Sequence, residues 1–178
     1  MSLRNNTRKL VLLSLLVSVA IGLSYFERFI PLPWNIPGMK LGLANIVTLF
    51  AIHYFNAKEV SLLVIVRIIL VAVIVGSGMS FFYSLAGGIL SMCGMLLLFR
   101  YTRKVVSIHG ISIAGAVLHN IGQLAVLAVI TKRLTIALSY APLLIFVGVP
   151  TGIFVGVSAK FFLQHIKIQG VDWGVKSI

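Results

Sequence analysis

Long apolar runs follow one another along this chain with only short polar breaks, and their lengths predict membrane-crossing helices, each of which needs about 20 apolar residues. About six fit. The first run, Leu10 to Leu23, continues through Tyr25 and Phe26 towards Ile30. Arg4, Arg8 and Lys9 precede it as in a signal peptide, but no Ala-x-Ala cleavage pattern follows, so it reads as an uncleaved helix. Five more helices are expected over about 40–56, 60–75, 80–99, 111–130 and 140–163. Pro31, Pro33 and Pro37 cannot donate backbone hydrogen bonds, and they mark residues 27–39 as an ordered loop. Asn56 to Glu59 and Gly76-Ser77-Gly78 read as turns, and Arg100, Arg103, Lys104 and His109 form a basic loop. Pro142 is expected in the first turn of the sixth helix, where proline is tolerated, and Pro150 is expected to kink it.

Composition agrees with the pattern. The 178 residues are 60% hydrophobic with mean hydropathy +1.10, and only 10% are charged, where a soluble domain carries roughly a quarter. This is the composition of an all-α integral membrane protein: one six-helix domain over residues 1–168 and a short tail over 169–178. The formal charge of +12 does not call for nucleic acid, which would need a basic patch on one accessible face. Basic loops that hold the topology explain it. In the six-helix arrangement Arg4, Arg8, Lys9, Lys58, Arg100, Arg103, Lys104, Lys160, Lys167 and Lys176 lie on one side, against Arg28, Lys40, Lys132 and Arg133 on the other. The positive-inside rule then puts both termini in the cytoplasm. Cys93 stands alone in an apolar run, without a disulfide or metal-ligand companion, and reads as packing.

The polar residues inside the apolar runs carry the candidate chemistry. Arg67 stands nine residues from Lys58 and nine from Gly76, roughly 14 Å from either helix end. At that depth an arginine costs about 2.5 kcal/mol or more, and it needs a partner or a wet cavity. The acids Glu27, Glu59 and Asp172 are all expected in loops or the tail, which leaves Arg67 without an internal carboxylate. Two readings follow: Arg67 ties helices together through carbonyl oxygens, or it holds an anionic ligand. His119 and Gln123 share a helix face, with Asn120 turned roughly 100° away, and Gly115 and Gly122 leave space beside them. No second ligand at metal spacing accompanies them, so no metal site is expected. Asn45, about 8 Å below Lys40 if the segment is helical, and Tyr83 with Ser84 beside Gly87-Gly88, add polar groups at the outward ends. Tyr83 equally suits an interfacial belt, as Trp34 does. With three acids in the chain, carboxylate acid/base chemistry is poorly supplied and no catalytic residue is assigned.

Four blocks, Pro37-Gly38-Met39-Lys40-Leu41-Gly42-Leu43-Ala44-Asn45, Arg67, Ser80 to Gly88 and His119-Asn120-Ile121-Gly122-Gln123, resemble the family labelled heptaprenyl diphosphate synthase component I, also called the Gx transporter family. The resemblance runs from about Leu10 to Lys160. That family is similar to the substrate-binding S components of energy-coupling factor (ECF) vitamin transporters, multi-pass proteins of bacterial plasma membranes. It implies a lid over the ligand, here the loop with Trp34, Pro37 and Gly38, and a ligand met by Lys40, Asn45, Arg67, Tyr83, His119, Asn120 and Gln123. It also implies a small-residue stripe on the first helix, here Ser14, Ser18 and Gly22, facing a coupling subunit linked to cytoplasmic ATPases, although S components typically carry alanines there. From spacing alone the stripe serves internal packing equally well. The resemblance also admits two other roles: an accessory subunit holding a prenyl diphosphate, or a quinone- or flavin-binding subunit in extracellular electron transfer. Prenyl diphosphate synthases hold magnesium and diphosphate through aspartate-rich motifs, and this chain has one aspartate, so catalysis by it alone is not expected. No resident cofactor is expected. A transport subunit for a small anionic or carbonyl-rich solute is the reading these residues favour.

Overall fold

The computed structural model describes residues 3–30, 40–102 and 105–165, and these fold as an all-helical bundle. Its helices are α1 (Leu3–Phe26), α2 (Asn45–Tyr54), α3 (Ala57–Val75), α4 (Gly78–Thr102), α5 (Ile108–Thr131) and α6 (Leu134–His165), with one 3-10 turn, Glu27–Phe29, continuing α1. Four of them, α1 with its 3-10 turn, α4, α5 and α6, are long and apolar enough to cross a membrane. The protein is therefore membrane-embedded. Its outer surface is accordingly apolar: Val73, Phe146, Leu97 and Phe161 are all more than half exposed. The lone Cys93 also faces outward, not into the packing as expected.

Each long helix packs on the next in the order α1, α3, α4, α5, α6, and α2 lies inside this open ring, touching all five. Its residues from Asn45 to His53 are all buried. A helix that is apolar all round belongs inside a structure, and α2 is inside this one. It is also shorter than expected, ten residues against the predicted span of 40–56. At 1.5 Å per residue that is roughly 15 Å, about half of the hydrocarbon core. The cause is Gly42, whose φ of 88° takes the backbone out of helical geometry. Lys40 to Gly42 therefore form no helix, which starts only after the turn at Leu43-Ala44. The other end is set by Phe55, in extended conformation, and by Asn56, which forms a capping box with Glu59 at the start of α3.

The sixth helix differs in the opposite direction. It begins at Leu134, so Pro142 lies in its interior and not in its first turn. Thr135 and Ser139 give this segment the look of a loop, but Ser139 donates its hydroxyl to the Thr135 carbonyl one turn back, which removes its conflict with helix. Along α6, Gly148, Gly152 and Gly156 are buried at four-residue spacing against α5. A Cβ on Gly152 would sit 2.5 Å from the Ile113 Cα, so the two backbones approach as closely as glycine allows.

At the end of the bundle where α1 begins, Lys9 and Glu59 form an ion pair at 2.7 Å between α1 and α3. We call this end proximal, and distal the end where α1 finishes. Ser14, Ser18 and Gly22 are exposed on α1, and nothing lies within 4 Å of a Cβ built on Gly22. The stripe is thus turned away from the chain's own packing. Ser14 and Ser18 line a groove of about 340 Å³ between α1 and α3, walled by Leu13, Val17, Leu62 and Val66.

Candidate functional site

In the distal half, at the start of α2, the segment Lys40 to Ala44 meets the end of α1, the middle of α3, the first third of α4 and the centre of α5. These elements enclose a cavity of about 20 Å³, lined by Ser24, Glu27, Lys40, Arg67, Ser84 and His119 among others. That is room for one water-sized group.

The carboxylate in this cavity corrects the sequence reading. Glu27 is not in a solvated loop: the 3-10 turn continues α1 and carries it inward, leaving it 5% exposed. It shares a buried face with Ala20 and Ser24, at helical spacing of four and three residues. Its Oε1 accepts the Gly42 N–H, tying the end of α1 to the entry of α2. Arg67 is 5% exposed and feels the field of Glu27, so it does have an internal carboxylate nearby. Among the described residues no direct ion pair closes between Glu27 and either Arg67 or Lys40. The acid and the two cations face one another across the cavity.

Lys40 is held at both ends. Its backbone N–H donates to Gln123 Oε1 at 2.9 Å, and its carbonyl accepts from Gln123 Nε2 at 2.8 Å. Gln123 thus supplies the partners that a helix would have supplied to this non-helical residue. The Lys40 ammonium donates to Ser84 Oγ at 2.8 Å. Burial pushes its pKa down to about 8; Glu27 opposes that shift, while Arg67 and Arg28 add to it.

His119 is 4% exposed and makes no hydrogen bond of normal geometry through either ring nitrogen. Its Nδ1 edge lies against Gly87, where a Cβ would come within 2.8 Å of the ring. On the other side, a Cβ on Gly42 would meet both Asn45 Nδ2 and His119 Cδ2 at 3.0 Å. Gly42 and Gly87 therefore bracket the imidazole with backbone, and Asn45 stands next to it. Asn45 is 3% exposed, and its Nδ2 also has no partner. The imidazole in the cavity and the Asn45 Nδ2 beside it form an incomplete hydrogen-bonding set among the described residues.

Lys40, Arg67 and His119 thus line the cavity, with Asn45 beside His119. The other three predicted residues are placed elsewhere. Gln123 holds the Lys40 backbone. Asn120 Nδ2 donates to the Leu144 carbonyl of α6 at 2.7 Å, through a gap left by Gly148. Tyr83 is 1% exposed in a separate apolar cluster with Leu124, Leu127, Ala137 and Leu144. Its neighbour Ser84 faces the cavity instead. Trp34, Pro37 and Gly38 lie outside the described residues.

A family profile for heptaprenyl diphosphate synthase component I matches residues 16–162. The chain belongs to that family. The match takes in every residue lining the cavity and most of the six helices. The family's title describes one component of a synthase, which implies a further protein component. No curated protein and no solved structure matches this chain.

Proposed function

We propose that this family member is the membrane-embedded binding subunit of a transporter, similar to an S component, and that it holds the anionic or carbonyl-rich end of a small solute. One observation carries the reading. The buried cavity brings Lys40 and Arg67 together with His119, and neither the His119 ring nor the neighbouring Asn45 Nδ2 has a hydrogen-bond partner of normal geometry among the described residues. A solute entering from the distal side would meet Lys40 first and Arg67 deeper. The exposed stripe Ser14, Ser18 and Gly22, beside the α1–α3 groove, supports a role in docking a coupling subunit, since it has no internal packing to do.

The test is native mass spectrometry of the detergent-purified protein, with thermal-shift screening of any released solute, for wild type and Arg67→Ala. A solute carried by wild type and lost in the variant supports the reading. A variant that loses stability while solute binding is unchanged would make Arg67 a structural tie and sink it.

The family description favours a second reading, an accessory membrane component for prenyl diphosphate synthesis, with the diphosphate at the same two cations. Adding the purified protein to a soluble prenyltransferase partner separates the two. A changed rate or product length supports this role, and an unchanged one supports transport.

A further inference from the structure

The charges around the cavity constrain the ligand further, on the reading that it is an anion site. The groups facing it are Glu27 from the 3-10 turn, Lys40 from the segment before α2, Arg67 from α3 and His119 from α5, with Ser24 and Ser84 as neutral hydroxyls. Arg28 acts on Lys40 from the exposed surface. Of the chain's two other acids, Glu59 pairs with Lys9 at the proximal end, and Asp172 lies outside the described residues. Among the described residues two cations thus face one carboxylate, which leaves a single surplus positive charge in a poorly solvated site once Glu27 is ionised. Buried charge of that kind needs a counter-charge.

We infer that the cavity is a receptor for one negative charge, a monocarboxylate group, with Glu27 as the residue that sets this number. A carboxylate matches the planar guanidinium of Arg67, and its second oxygen can accept from the Lys40 ammonium, which lines the same cavity. A diphosphate brings two or more charges at neutral pH into a site that already holds Glu27, and its excess charge would be repelled at low dielectric. The one-water size of the cavity fits the end group of a solute and leaves no room for a bulky polyanion.

The experiment uses thermal-shift titrations of the full-length protein at pH 7.5 and constant ionic strength, with sodium acetate and sodium diphosphate as probes. Acetate should stabilise wild type at about tenfold lower concentration than diphosphate, and Glu27→Gln should reverse that order. In case Glu27→Gln does not fold, Lys40→Gln serves as well: it cancels the surplus charge and should weaken acetate by about tenfold or more. Preference of wild type for diphosphate, or an order unchanged in Glu27→Gln, would overturn the inference, as would unweakened acetate in Lys40→Gln. If diphosphate is preferred and Arg67→Gln abolishes its binding, the anion site stands and only the charge count fails. If neither probe shifts the melting temperature, both fall.

Discussion

At the scale of single residues, Lys40 couples the site to pH. It sits in the non-helical segment before α2, and burial lowers its pKa to about 8. An anion bound beside it needs the ammonium charged. Acetate affinity should therefore fall as pH rises through 8. A profile that stays flat to pH 10 would remove Lys40 from the site. The empty protein has the opposite dependence: the unfolded chain keeps this proton up to 10.5, so rising pH between 8 and 10.5 favours the folded state. The sequence shows that Arg67 and His119 must face inward, because an exposed position in the apolar core is costly for either. It does not show what each polar residue faces. Tyr83, Asn120 and Gln123 are all buried, yet they serve an apolar cluster, a carbonyl of α6 and the Lys40 backbone. Glu27 escapes because an acid next to three prolines looks like a solvated loop. Its spacing from Ala20 and Ser24 was the available signal.

At the scale of elements, two small-residue stripes of the same four-residue spacing have opposite surroundings. Gly148, Gly152 and Gly156 lie where α6 meets α5, whereas Gly22 on α1 has open space around it. Gly152→Ala would push a methyl group to 2.5 Å from the Ile113 Cα, and overpacking of this kind costs about 1–3 kcal/mol. Gly22→Ala should leave stability unchanged or slightly raised. Melting curves of the two variants in one detergent check this, and equal losses would mean that α1 is packed against something after all. The long helices were legible because their apolar runs exceed what a span needs. The boundaries of α2 and α6 were not, because they depend on one positive φ at Gly42 and on hydroxyls that fold back on their own helix.

At the scale of the whole molecule, the charge distribution predicts an orientation. Ala57 begins α3 beside the Lys9–Glu59 pair, and Leu134 begins α6 at the distal end. With the basic loops inside the cell, Ala57→Cys on a Cys93→Ala background should react with an impermeant thiol reagent only after the cells are opened. Thr135→Cys should react in intact cells, and the reverse pattern would invert the topology. The open ring around α2 also constrains how the protein is made. Four of the five helices that wrap α2 are synthesised after it, and at roughly 15 Å it cannot settle across the bilayer alone. During biogenesis Asn45, Thr48 and Arg67 must therefore wait, half-sheltered, until the last hairpin arrives. A ribosome that stalls before α5 leaves behind a chain whose polar interior still faces lipid, the kind of product a membrane quality-control protease removes.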